Sequence, residues 1–185
     1  MNVFDILGPV MIGPSSSHTA GAARIGRITL ALLGAPAVKA DIFLHGSFAK
    51  TYKGHGTDKA LIAGIMGMAT DDSRIRRAPE LAKEQGLEVN IATGDIDGAH
   101  PNTARVTLTD GAGNTVSLLG SSIGGGNILV TEVNGMEVSI TGQHTTLIVL
   151  HRDAPGTIAS VTEVMADAGV IICNFRLSRQ SRGGE

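Results

Sequence analysis

Nine residues near the start of the chain, Gly13-Pro14-Ser15-Ser16-Ser17-His18-Thr19-Ala20-Gly21, limit what can be built around them. They hold three serines, a threonine and a histidine between glycines, with no acid and no base beyond the imidazole. The pattern turns helical directly afterwards. Its apolar set is Ala22, Ile25, Ile28, Leu30, Leu32 and Leu33, with Gly34 as a stop and Pro36 just beyond. The first N–H groups of a helix lack partners within it, and the helix dipole places partial positive charge there. Small residues let an anion reach that backbone, and hydroxyls add donors. A carboxylate or phosphate suits such a loop. The plainer alternative is that Ser17 or Thr19 only caps the helix. One cap needs one hydroxyl, and the loop offers several.

The chain has 185 residues, the size of one or two domains. Its 42% apolar content is enough for a core, and its net charge of -2 gives no electrostatic case for nucleic acid or an anionic membrane. With no Trp, one Tyr and four Phe, base-stacking platforms are not expected. The single cysteine, Cys173, excludes an internal disulfide, and it excludes a multi-cysteine metal or iron–sulfur site made by this chain alone. No carboxylate-rich metal cage is visible either. Met1-Asn2-Val3-Phe4-Asp5 has neither the basic region nor the apolar run of a signal peptide. No stretch approaches the roughly 20 apolar residues of a membrane span. These features predict a soluble cytoplasmic protein.

Further along, Val38 to Leu44 reads as a strand running into His45-Gly46-Ser47-Phe48-Ala49. Lys53-Gly54-His55-Gly56-Thr57-Asp58 reads as a loop, its histidine held between glycines. Thr57 and Asp58 are expected to cap a helix from about Lys59 to Met68. Asp71 to Gln85 reads as a solvated helix stopped by Gly86, and Leu87 to Thr93 as a strand. In the polar loop that follows, Pro101 biases His100 toward an extended backbone. His100 and Asn102 could then present an imidazole and an amide together, or simply make a turn. Arg105 to Thr109 and Thr115 to Leu119 form a predicted hairpin. Ser121-Ser122-Ile123-Gly124-Gly125-Gly126-Asn127 reads as a backbone surface for a small anion, or as a connector. Asn134-Gly135 between apolar runs signals a second hairpin. After a boundary at Gly142-Gln143-His144, an apolar strand from Thr146, a helix with Ile158, Val161, Val164, Met165 and Ala168, and a strand from Val170 to Leu177 read as βαβ. Ser178 to Glu185 is a polar tail.

Four polar loops stand out, around His18, His55, His100 and Ser122. If the fold brings them together, they would suit a small zwitterionic or carboxylate ligand and proton transfer. The same residues carry a resemblance. Phe4-Asp5, Ile12 to Gly21, Lys53-Gly54-His55-Gly56-Thr57-Asp58, His100-Pro101-Asn102-Thr103 and Ser122-Ile123-Gly124-Gly125-Gly126 resemble, in order and spacing, the β subunit of the iron–sulfur L-serine dehydratases.

That resemblance implies an α+β fold. An α/β domain over 1–143, like the allosteric substrate-binding domain of some phosphoglycerate dehydrogenases, would precede a partial, ACT-like βαβ segment over 146–185. It implies deamination of L-serine to pyruvate and ammonia, with a 4Fe–4S cluster held by a separate α subunit acting as Lewis acid on the hydroxyl. Within this chain it implies His55 as the base that takes the α-proton. Ser16, Ser17, His18 and Thr19 would form an anion-holding loop, and His100, Asn102 and Ser122 would line the substrate site. Asp153 and Gly156 would contact an effector. An open strand edge in the ACT-like segment would allow self-association. The rival expectation is a regulatory, serine-sensing module without catalytic residues, and a third is a scaffold for the partner.

Overall fold

Regular structure in the computed structural model, which describes residues 10–178, begins with a π-helical turn at Ser16–Gly21 that continues directly into α1 (Ala22–Leu33). The Phe4-Asp5 part of the motif, the leader reading at Met1–Asp5 and the tail from residue 179 lie outside the described residues. Gly34 ends α1 in the left-handed region, φ 72°, where its N–H donates to the Leu30 carbonyl at 3.0 Å. β1 (Ala37–His45) alternates, burying Ala40, Ile42 and Leu44.

Next come α2 (Gly46–His55) and α3 (Thr57–Ile65), a 3₁₀ turn (Ser73–Arg77), α4 (Ala78–Glu84) and β2 (Glu88–Gly94). β3 (Thr103–Asp110), β4 (Thr115–Gly124), β5 (Asn127–Val133) and β6 (Met136–Ile140) follow as successive hairpins. The six strands form one sheet in the order β2-β1-β3-β4-β5-β6. β1 and β2 run parallel, and every other neighbouring pair is antiparallel. The fold is α+β.

α1 packs on β3 and β4 and against α3. Ile25, Leu61 and Ile65 from the helices join Val106, Leu108, Leu118 and Val130 from the strands in the buried core. The two helices approach closely because each has a glycine at the crossing. A Cβ on Gly26 would lie 2.4 Å from the Leu61 carbonyl oxygen, and one on Gly64 would lie 2.1 Å from that of Ala23.

Several expectations are corrected. Residues 46–55 are helical, so His55 ends a helix instead of sitting in a loop, and Gly56, φ 71°, is the break before α3. Thr57 and Asp58 do not cap α3. Gly56 occupies that position, and the Asp58 carboxylate accepts from its neighbour Lys59 N–H at 2.8 Å. The helix over 71–85 is split into the 3₁₀ turn and α4. Ser121 and Ser122 belong to β4, not to a loop. Gly124 pairs with Asn127, so Gly125 and Gly126, φ 59° and 78°, are the centre of a two-residue turn. Both need positive φ, which is the geometry that matches strand twist.

The contacts divide the chain into Met1–His144 and Thr145–Glu185. In the second unit the helix is present as α5 (Thr157–Asp167), and Gly169, φ 67°, follows it. The two flanking strands are not. No ladder forms over 146–151 or 170–177 among the described residues. A strand needs a hydrogen-bonded neighbour, and apolar alternation alone cannot supply one.

Candidate functional site

The π-helical turn is started by Ser15, whose hydroxyl accepts from the His18 N–H at 3.3 Å. The cap is therefore neither Ser17 nor Thr19. The same hydroxyl is 3.2 Å from His18 Nδ1, and Ser47 Oγ, at the start of α2, is 3.3 Å from Nε2. A hydroxyl can donate or accept, so both ring nitrogens are satisfied in either tautomer. The ring is buried and stands edge-on to Phe48, with centroids 5.2 Å apart. It also stands edge-on to His55, at 4.8 Å and 82°. Burial, and then the neighbouring His55, push the His18 pKa below its ordinary value. One imidazole is thus held neutral inside, while its partner, His55, is exposed at the end of α2.

The other two loops reach the same place through the backbone. The Ser47 N–H donates to the Pro101 carbonyl at 2.7 Å. Gly46, φ 59°, allows this approach, since a Cβ there would lie 2.5 Å from that oxygen. Asn102 follows, and its carbonyl accepts from the Ser122 N–H at 2.9 Å. Ser122 is fully buried against Gly21, where a Cβ would lie 2.1 Å from its Oγ. His18, His55, the Pro101 loop and Ser122 are therefore linked neighbours. His100 is exposed and its Nδ1 accepts from the Asn102 N–H at 3.1 Å, the turn use of this pair. Ser16 and Ser17 are half-buried members of the turn. Asp153 and Gly156 lie in the second unit, where Gly156, φ 89°, precedes α5.

His55 opens on a cleft of about 430 Å³ lined also by Gly13, Thr19, Lys53, Lys59 and Arg76. A larger cleft, about 610 Å³, includes Ser47 and His45. His45 Nδ1 accepts from the Ile96 N–H at 3.0 Å. The smaller cleft holds the exposed member of the imidazole pair and is the better candidate. Sequence reasoning missed Ser15 and Ser47 as holders of His18, and Lys53, Lys59 and Arg76 as lining. Ser15 lay in the motif already quoted, whereas nothing in the sequence ties Ser47 or Arg76 to His18 or His55.

The described residues do not fit an iron–sulfur cluster. Cys173 is single and exposed, and among the described residues no group of three or more His, Cys, Asp or Glu could hold a metal ion. No helix among them is long and apolar enough to cross a membrane.

The family model described as serine dehydratase beta chain matches residues 2–97. The chain is 46% identical over 182 residues to the probable L-serine dehydratase, beta chain, of Bacillus subtilis (strain 168), covering 98% of this chain and 82% of that one. It is 38% identical to the L-serine dehydratase, beta chain, of Peptoniphilus asaccharolyticus, covering 89% and 74%. It is 25% identical to a D-3-phosphoglycerate dehydrogenase of Methanocaldococcus jannaschii, covering 89% of this chain and 31% of that one.

Proposed function

The chain belongs to the serine dehydratase beta chain family, and on that footing we propose that it supplies the proton-transfer and substrate-holding half of an L-serine dehydratase. The reaction converts L-serine to pyruvate and ammonia. A base takes the Cα proton and the β-hydroxyl leaves as water. The resulting aminoacrylate tautomerises to an imine, which water hydrolyses.

His55 is the base. It is the exposed member of the imidazole pair, and it faces the cleft. His18 is a positioning residue. Held between Ser15 and Ser47 at right angles to the His55 ring, with its pKa lowered, it is slow to add a second imidazolium beside a protonated His55. Ser16, Ser17 and Thr19 hold the substrate's anionic end, His100 and Asn102 line the approach, and the buried Ser122 supports that loop by donating its N–H to the Asn102 carbonyl. The second unit takes an effector at Asp153 and Gly156. A 4Fe–4S cluster held by an α subunit would supply the Lewis acid for the hydroxyl; the described residues offer no ligand set for one. What this chain does is bind, orient and carry the proton.

The observation that carries this reading is the contact between one buried and one exposed imidazole, at 4.8 Å. His55→Ala, assayed with the α subunit present, is expected to lose about 100-fold or more of its turnover, the usual scale for a general base. A near-wild-type maximal rate would reject the assignment.

A further inference from the structure

The six-stranded sheet ends in β2 on one side and β6 on the other, and the two edges are protected differently. β6, five residues long, pairs irregularly with β5. The register slips between Val130 and Glu132, and Glu137 stands opposite Glu132. A short, slipped strand with an acid in it is a poor template for further pairing. β2 has none of these devices. It is seven residues long, and each residue from Glu88 to Gly94 is paired in register with β1, from Lys39 to His45. It contains no Lys, Arg or Pro, and its one charged residue, Glu88, stands at its start. Among the described residues its outer backbone groups bond nothing.

The side chains of β2 are left open on the same flank. On the helix-covered face Val89, Ile91 and Thr93 stand beside Ala40, Ile42 and Leu44 of β1. Those three β1 residues are buried, whereas Val89 and Ile91 are half-buried and Thr93 is exposed. The apolar layer is cut off at β2, with two β-branched aliphatic side chains at the cut. On the other face the Asn90 amide donates to Asp41 and to Glu88, each at 3.0 Å, which holds the edge strand flat against β1. A row of unpaired backbone groups and an uncovered apolar flank are both completed by one thing, another strand alongside.

We infer that β2 pairs antiparallel with β2 of a second copy about a two-fold axis at Ile91, joining the two sheets into one. The residue order of β2 suits this pairing. Centring on Ile91 is the arrangement that uses all seven residues. It sets Ile91 against Ile91, Val89 against Thr93, Asn90 against Ala92 and Glu88 against Gly94 of the second copy. β-Branched side chains then meet on the helix-covered face, a favourable cross-strand combination. No acid meets an acid, because the two Glu88 carboxylates stand roughly 20 Å apart along the ladder. The contact lies wholly within the first unit, and it does not depend on the reaction proposed above.

The test uses the full chain. Sedimentation should give twice the mass of one chain. Ile91→Lys and Ile91→Glu should each weaken that dimer by about tenfold or more, because like charges meet at the axis. Mixing the two variants should restore a dimer containing one of each, which also shows that both are folded. Cysteine placement reads the register. In a Cys173→Ser background, Ile91→Cys should cross-link two chains under mild oxidation, since directly opposed Cα atoms fall within disulfide reach. Asn90→Cys alone and Ala92→Cys alone should not, whereas a mixture of those two should. A dimer made through the second unit would be blind to all of these changes. A monomeric full chain, a dimer indifferent to both charges, or cross-linking without register preference overturns the proposal. So does cross-linking of the Ile91→Cys chain to the α subunit in the co-purified complex, which would assign the edge to that partner.

Discussion

A histidine sealed between two hydroxyls and two aromatic rings titrates differently from one in water. His18 is 8% exposed, and its pKa is depressed by burial first and by His55 second. The folded chain therefore takes up a proton here less readily than the unfolded chain. Its stabilising contribution is complete above the unfolded value of about 6.5 and is lost as pH falls through the lower folded value. Thermal unfolding followed between pH 8 and pH 5, a range of about three units around that value, should show the midpoint falling on the acid side. The fall should be smaller in His18→Asn, which has no proton to take up. Removing one hydroxyl tests the cradle separately. Ser47→Ala leaves Nε2 of a buried ring without its partner, and urea unfolding should report a loss of about 1–3 kcal/mol. Neither effect was legible from the sequence. Ser47 lies 29 residues from His18, and only β1 and the start of α2 bring its hydroxyl to the ring.

Among the elements, the crossing of α1 and α3 is the joint that sets the site, because the His18 turn runs into one helix and His55 lies just before the other. Gly26 and Gly64 sit where each helix meets the backbone of its partner. A methyl there collides with main chain, which cannot rotate away. Gly26→Ala and Gly64→Ala should each cost about 1–3 kcal/mol by overpacking, measured by denaturant unfolding. The β4–β5 turn is a milder case. Gly126→Ala forces a residue with a Cβ to φ 78°, at a cost of about 1–2 kcal/mol. The Gly124-Gly125-Gly126 run thus serves strand reversal. Its tie to the helical side is one bond, from Arg24 Nη1 to the Gly126 carbonyl at 2.7 Å. The β5–β6 hairpin was readable because a two-residue Asn-Gly turn is a local demand on φ, whereas the Gly124-Gly125-Gly126 run was read as an anion surface or a connector. The helix at 46–55 was not readable, because its glycines and polar residues carry no apolar period, and its first turn is completed from afar by the Pro101 carbonyl.

For the whole molecule, every buried apolar residue among those described lies between Ala20 and Ile140, within the first unit. Residues 1–144 produced alone should therefore unfold in one cooperative transition, by calorimetry and circular dichroism together. The second unit has no buried residue on α5, and Leu147, Val164 and Ile171 are all well exposed. Its apolar texture was visible in the sequence, and the strands that texture suggested did not form. The sequence by itself determined the local matters: where α1 stops at Gly34, where the β5–β6 hairpin turns at Asn134-Gly135, and which four stretches carry the polar chemistry. These depend on backbone dihedrals and side-chain types that a few neighbouring residues specify. Only the tertiary structure decided that His18 is buried against His55, that Ser47 and Pro101 hold the two loops together, and that three cations share one cleft. Each of those is a contact between residues distant along the chain, and its energy depends on burial and distance, which no short stretch of sequence encodes.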